Sequence, residues 1–122
     1  MANPFVHLEL ATNDLDKARD FYTGLFDWQL EEIPGMDYTL IKVGEGTGGG
    51  MMTTREPGAS SYWLAYVLVD DATAATEKAR KLGGTICKGV TEVPGIGWFS
   101  VITDPTGATF ALWQPNPDAM KK

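Results

Sequence analysis

Two similar stretches of seven residues occur in this chain, and this repeat constrains the fold more than any other feature of the sequence. The first copy is Glu32–Tyr38 and the second is Glu92–Trp98, 60 positions later. Both copies contain Pro-Gly, a dipeptide that marks turns, and each ends on an aromatic residue. A match of this length can arise by chance, so it carries weight only if a second match accompanies it.

A second match lies nearer the start of each half. Residues 14–25 align with residues 71–82 at an offset of 57, and both segments have small or apolar residues spaced as one stripe of a helix. A short apolar strand precedes each segment, over Phe5–Ala11 and Tyr62–Val69. One small insertion accounts for the difference between the two offsets. The chain therefore reads as one module written twice.

Each module is predicted to have the order β-α-β-β-β. We expect one domain over residues 4–114, made of modules 4–55 and 62–114, with a flexible tail at 115–122. Asn13 or Asp14 can cap the first helix, and Asp70 or Asp71 the second. One helix cannot stabilise an isolated four-stranded sheet on both faces. We therefore predict that the two modules curve into a shared cup with the helices outside.

Charge and composition exclude several classes of protein. The net charge of −6 without a Lys/Arg cluster argues against a nucleic-acid partner. The single cysteine, Cys87, allows neither an internal disulfide nor a cysteine-based zinc site. The first residues do not resemble a signal peptide, and no apolar run approaches the length of a membrane span. We expect a cytoplasmic protein with no membrane partner.

The arrangement of elements and four short motifs resemble the vicinal oxygen chelate superfamily, which includes glyoxalase I, bleomycin-resistance proteins and extradiol dioxygenases. The resemblance covers Phe5 to Gln114 and is most similar to a bacterial glyoxalase-like branch related to lactoylglutathione lyase. It implies an α+β fold in which two tandem βαβββ modules form a curved mixed sheet around a cup, with a homodimer as the assembly. The motifs are Asp14-Leu15-Asp16-Lys17-Ala18 with Phe21-Tyr22, Val69-Asp70-Asp71, Leu82-Gly83-Gly84, and Asp104-Pro105-Thr106-Gly107. The last of these has Asp, Pro and Gly at the positions that a type I turn prefers.

The resemblance also implies where a metal would bind. Metal-dependent members use four inward side chains, one from the first and one from the last strand of each module. The corresponding positions here are His7, Leu64, Ala111, and either Gly50 or Met51. Only His7 is of a ligand type, whereas catalytic metal sites typically keep three protein ligands. We therefore expect no cofactor and no complete metal site, unless a shifted register brings in Glu9.

His7 and Glu9 share one face of the first predicted strand. His7 is either a hydrogen-bonded structural residue or a polar contact to a ligand. Glu9 is a candidate general base if it lies inside a poorly hydrated cup, and a solvated rim residue if it does not.

Aromatic and apolar side chains are predicted to form the walls of the cup. Trp and Tyr offer faces on which flat or cationic ligands stack, although the same residues could simply fill a core. Tyr38 and Trp98 occupy equivalent strand starts after the two Pro-Gly turns. The predicted ligand-binding residues are His7, Glu9, Met52, Leu64, Tyr66, Trp98 and Trp113, with Arg55 at the rim.

Three other signals predict no chemistry. Gly44–Gly49 fits G-x-G-x-x-G, but no helix follows to present its N-terminus to a phosphate. Ser60-Ser61 lacks a nucleophile elbow. Cys87 has no basic neighbour in the sequence and is predicted to be an inert strand residue.

Three functions remain open at this point. The preferred one is a glyoxalase-like protein with an incomplete metal site that binds an apolar or aromatic small molecule, either to sequester it or to act on it. The alternative is a metal-dependent lyase, isomerase or dioxygenase of the lactoylglutathione-lyase type. The third is an interaction module whose cavity is filled by its own side chains. Fold alone does not decide among them.

Overall fold

The computed structural model describes residues 3–54 and 58–117, and the predicted β-α-β-β-β order occurs twice in them. The helices are α1 (Leu15–Leu25) and α2 (Ala72–Lys81). The strands of the first repeat are β1 (Phe5–Thr12), β2 (Gln29–Glu32), β3 (Thr39–Lys42) and β4 (Gly49–Thr53). Those of the second are β5 (Tyr62–Leu68), β6 (Thr85–Val93), β7 (Gly97–Thr103) and β8 (Thr109–Pro115). The predicted α+β class with two βαβββ modules is confirmed.

The chain divides into two compact units, and the division falls inside β5. The first unit is Val6–Ala65, and the second runs from Tyr66 onward together with the residues before Val6. The module boundaries predicted from the repeat, 4–55 and 62–114, follow the order of elements and stay a prediction. Of the predicted tail, Pro115 belongs to β8, and the Asn116 N–H donates to the Ile96 carbonyl at 2.8 Å. Residues 118–122 lie outside the described residues.

In the first unit, α1 covers one face of a sheet with strand order β2-β3-β4-β1. The parallel pair is β1 with β4, and the other pairs are antiparallel. Leu10, Ile41 and Met51 form the buried core on the helix side, where Leu15 and Ala18 pack against them. Because side chains alternate along a strand, the residues between these core positions project from the other face, here called the first helix-free face.

In the second unit, α2 covers a sheet with strand order β5-β8-β7-β6, in which β5 and β8 are parallel. Val69, Ala72, Ile102 and Leu112 form its core. The opposite surface is here called the second helix-free face.

The structure decides which residues cap the helices. The Asp14 carboxylate accepts from the backbone N–H of Lys17 at 3.1 Å, and Asp71 does the same for Ala74 at 3.0 Å. Asn13 instead uses its backbone N–H to bind the Ser61 hydroxyl at 3.0 Å. Each cap thereby satisfies one N–H that the first helical turn leaves without a partner.

Both predicted Pro-Gly turns are present. The Met36 N–H donates to the Ile33 carbonyl at 3.1 Å, and in the second copy Ile96 donates to Val93 at 2.9 Å. Gly35 and Gly95 have φ of 80° and 76°, the left-handed conformation that the third position of a type II turn requires.

The Asp104–Gly107 turn is also present, with Gly107 N–H donating to the Asp104 carbonyl at 3.0 Å. The Asp104 carboxylate accepts the Thr106 hydroxyl and the backbone N–H groups of Thr106 and Ala108. These hydrogen bonds, the one from the Thr106 hydroxyl first, lower the pKa of Asp104 because they favour its charged form.

No helix within residues 3–54 and 58–117 combines the length and the apolar character that crossing a membrane requires.

Candidate functional site

The first helix-free face brings together three of the predicted site residues. His7 and Glu9 both project from it because they lie two residues apart on β1. The register pairs Glu9 with Gly50 and Ala11 with Met52, which places Met52 on the same face. This face is the candidate functional site.

Tyr38 joins His7 and Glu9 into one hydrogen-bonded chain. The Tyr38 hydroxyl donates to Glu9 Oε1 at 3.0 Å, and it lies 2.5 Å from His7 Nε2. Since the phenol proton goes to the carboxylate, the phenol oxygen accepts, and Nε2 of His7 carries the hydrogen. The His7 and Tyr38 rings lie nearly parallel, 18° apart with centroids at 6.2 Å. The sequence identified Tyr38 only as an aromatic residue, and the role of its hydroxyl was missed.

Gly50 makes room for the Tyr38 ring. A Cβ at position 50 would lie 2.2 Å from the Tyr38 hydroxyl oxygen and 2.3 Å from Cζ and Cε2. Such distances are impossible for real atoms, so a side chain at position 50 and the observed ring position exclude each other. No local pattern in the sequence shows this requirement, because Tyr38 and Gly50 meet only through the pairing of β3 with β4.

Burial lowers the pKa of His7 below its usual value of 6.5 by desolvating the charged form. At neutral pH His7 is therefore a neutral imidazole. His7 therefore adds no positive charge to this chain of hydrogen bonds.

A cleft of about 490 Å³ lies beside Tyr38 on the first unit. Its lining combines two thioethers, three hydroxyls and one carboxylate. The residues are Met36, Asp37, Tyr38, Met52, Thr53 and Thr54. A cleft with apolar walls and a few polar groups has the general character of a small-molecule site.

The second helix-free face holds two more predicted residues, Tyr66 and Trp113. The Tyr66 and Phe99 rings have centroids 6.4 Å apart, and Phe99 lies opposite Trp113 in the β7–β8 register. Phe99 was not predicted. Its position near two predicted aromatics follows from strand pairing, which the sequence does not display.

Trp98, predicted to form a wall of the cup together with Trp113, lies on the other side of that sheet. It packs against the α2 core with Ile102. The cause is a difference of one residue between the two hairpins: Glu32 pairs with Thr39, whereas Glu92 pairs with Trp98. A shift of one residue moves a side chain to the opposite face of a sheet. Tyr38 and Trp98 occupy equivalent positions in the repeat. Tyr38 lies on the helix-free face of its unit, whereas Trp98 lies on the helix side of its own.

Two predicted residues complete the set. Leu64 lies in β5 and is only 5% exposed, so it has the character of a core residue. Arg55 lies outside the described residues.

The residues around His7 do not fit a divalent metal. Register places Gly50, not Met51, on the face of His7, while Met51 is fully buried in the α1 core. The positions at Leu64 and Ala111 are hydrocarbon. Within residues 3–54 and 58–117, no three His, Cys, Asp or Glu side chains are grouped so that they could hold a metal ion. The groups on this face that could ligate a metal are an imidazole, a carboxylate and a phenol. They are already joined to one another by hydrogen bonds.

Comparison with known proteins places the chain in a family. The model of the Glyoxalase/Bleomycin resistance protein/Dioxygenase superfamily matches residues 5–112. The chain belongs to this superfamily. The resemblance found in the sequence motifs is therefore confirmed.

Two relatives and one solved structure illustrate the range of the superfamily. A Mycobacterium tuberculosis protein named "Putative glyoxylase CFP32" is 37% identical over 112 residues, which cover 89% of this chain and 43% of that protein. The anthracycline biosynthesis protein DnrV of Streptomyces peucetius is 30% identical, over 87% of this chain and 45% of that protein. This chain thus spans less than half the length of these relatives.

The crystal structure of methylmalonyl-CoA epimerase from Mycobacterium tuberculosis has a TM-score of 0.70, 19% identity, and coverage of 97% of this chain and 91% of that chain. At this level of identity the likeness shows the fold alone.

Proposed function

We propose that this superfamily member binds an apolar or aromatic small molecule on the first helix-free face, and that it does so without a metal ion. The observation that carries the proposal is the His7–Tyr38–Glu9 chain of hydrogen bonds at the edge of a cleft. Met36 and Met52 supply adaptable apolar contacts to a ligand, since an unbranched thioether fits many shapes. The polar chain fixes the ligand's orientation.

Binding serves either sequestration or catalysis. For catalysis, Glu9 is the candidate base, since a positioned carboxylate can accept a proton and the Tyr38 hydroxyl fixes its orientation from 3.0 Å. Tyr38 is then a positioning residue that holds Glu9 and His7 in one orientation. Removing the Tyr38 hydroxyl would break both of these hydrogen bonds.

The alternative is a metal-dependent lyase, isomerase or dioxygenase of the lactoylglutathione-lyase type. The name of the Mycobacterium tuberculosis relative and the ligand-type residue His7 support it. Gly50, Leu64 and Ala111 oppose it, because none of these side chains binds a metal. A homodimer and a cytoplasmic location stay predictions from the sequence.

Metal analysis separates the two functions. The purified protein is loaded with excess Ni²⁺, Zn²⁺, Mn²⁺ or Fe²⁺, desalted and measured by elemental analysis. We expect far less than one metal per chain, and no difference between wild type and His7→Ala. Near-stoichiometric metal that disappears in His7→Ala would reverse the order of the two functions.

A ligand screen tests the binding site itself. Flat apolar compounds are screened by thermal shift, and binders are titrated against wild type, Tyr38→Phe and Tyr62→Phe. Tyr62→Phe is the matched control, because Tyr62 is an exposed tyrosine of the same unit and does not line the cleft. We expect Tyr38→Phe to weaken binding about fivefold or more, the usual worth of one hydrogen bond. Equal binding by all three proteins would place the ligand elsewhere.

A further inference from the structure

The first unit carries an apolar pocket on its helix side, separate from the cleft beside Tyr38. Its volume is about 220 Å³. Its lining consists of Leu8, Trp28, Ile41, Val43 and Trp63, with Thr47, Gly48 and Gly49 at one edge. None of the residues that line it carries a charge.

The pocket exists because neither α1 nor the glycine-rich segment covers this end of the sheet. The helix ends at Leu25. Leu8 is left 39% exposed, whereas Leu10, two residues further along β1 on the same face, is only 4% exposed. Gly48 and Gly49 add no side chains, and a Cβ at position 49 would lie 1.9 Å from the Leu8 carbonyl oxygen. The glycines therefore allow β4 to approach β1 closely and leave the space above Leu8 unfilled.

The two tryptophan walls are held in place by other rings. Trp28 stacks on Tyr22 with centroids 5.5 Å apart, and Phe26 contacts it from 4.9 Å. Trp63 meets Trp28 at 81° with centroids 6.4 Å apart. Two perpendicular ring faces fixed in this way offer both stacked and edge-to-face contacts to a third ring. Little ordering of side chains would be needed on binding, which favours affinity.

We propose that this pocket is a binding site for a neutral, single-ring aromatic molecule or for an aromatic group of that size. The chemical class of the ligand follows from the lining and the size of the pocket. A charged ligand would lose hydration without gaining a partner, whereas an apolar cavity of about 150 Å³ is known to bind benzene. Trp63 is 41% exposed, and a ligand in the pocket would cover part of that surface. The site is independent of the function proposed above.

The test is a titration of 4-fluorotoluene followed by ¹⁹F NMR. Wild type should show saturable binding with a dissociation constant on the order of 1 mM or lower. Leu8→Trp fills the pocket and should weaken binding at least tenfold. Leu82→Trp is the matched control, since Leu82 is also an exposed leucine but lies in the second unit, and it should bind as wild type does.

Folding of each variant is checked by circular dichroism, and Val43→Phe replaces Leu8→Trp if the latter does not fold. The proposal is overturned if wild type shows no saturation, or if the folded pocket-filling variant binds as wild type does. It is also overturned if sedimentation shows that wild type self-associates and that Leu8→Trp abolishes this association. In that case a second copy of the chain covers the pocket.

Discussion

At the scale of single residues, the first helix-free face depends on one glycine. Gly50 lies in a strand, where glycine ordinarily weakens structure by about 0.5–1 kcal/mol relative to alanine. Here the absence of a side chain is what allows the Tyr38 ring to reach His7 and Glu9. The residue that appears least informative in the sequence therefore determines the polar geometry of the site.

Gly50→Ala is expected to lower the free energy of unfolding by about 1–3 kcal/mol, because the new Cβ overlaps the Tyr38 ring. Urea unfolding measures the change. Gly24→Ala is the control, since a Cβ at this helical position meets nothing within 4 Å and should stabilise by about 0.5–1 kcal/mol. In a Tyr38→Ala background the cost of Gly50→Ala should fall. An unchanged cost there would show that the clash is not with Tyr38.

His7 is expected to make stability depend on pH. Burial depresses its pKa in the folded state below the unfolded value near 6.5, so the unfolded chain binds the proton more readily. The free energy of unfolding should therefore decrease as the pH falls through about 6.5, and His7→Gln should remove that part of the decrease. His7 is the only histidine in the chain, so urea unfolding between pH 8 and about 5.5 isolates its effect. Parallel curves for both proteins would contradict this explanation.

At the scale of elements, helix starts depend on which of two adjacent polar residues has the correct backbone position. The sequence offered Asp70 or Asp71 for α2, and the structure selects Asp71, whose carboxylate accepts from Ala74 N–H. Its extended backbone, φ −142° and ψ 102°, is the conformation that a capping residue adopts.

Asp71→Ala is expected to lower the free energy of unfolding by about 1 kcal/mol, through loss of this cap. Asp70→Ala removes the same charge from the adjacent exposed position and should change stability by less than about 0.5 kcal/mol. Thermal unfolding of the two variants side by side makes the comparison. Equal destabilisation would mean that charge, and not the hydrogen bond, stabilises the start of the helix.

At the scale of the whole molecule, charge is the dominant property. The net charge of −6 repels the phosphate backbone of nucleic acids, which binds proteins mainly through Lys and Arg. Membership of the glyoxalase superfamily agrees with a small-molecule partner, while the specific ligand depends on individual side chains.

We expect no binding to duplex DNA in a gel-shift assay at about 0.15 M salt, where even non-specific binding requires several cationic contacts. A protein of comparable size with a basic surface serves as the positive control. A shift that weakens with added salt would show a basic surface that the overall charge conceals.

The sequence by itself determined the repeated βαβββ order, the Pro-Gly and Asp104–Gly107 turns, and membership of the superfamily. These features depend on local chemistry: helical spacing, backbone preferences of Pro and Gly, and short motifs. Alternation along β1 likewise placed His7 and Glu9 on one face. Residues that are two positions apart on a strand share a face, and this relation is local.

The tertiary structure alone decided which residues meet across strands. The placement of Tyr38 over Gly50, of Phe99 beside Trp113, and of Trp98 against α2 all depend on strand register. A difference of one residue in the second hairpin turned Trp98 to the opposite face from the one predicted. Register is set by the pairing of distant segments and by packing against a helix, so no window of the sequence contains it.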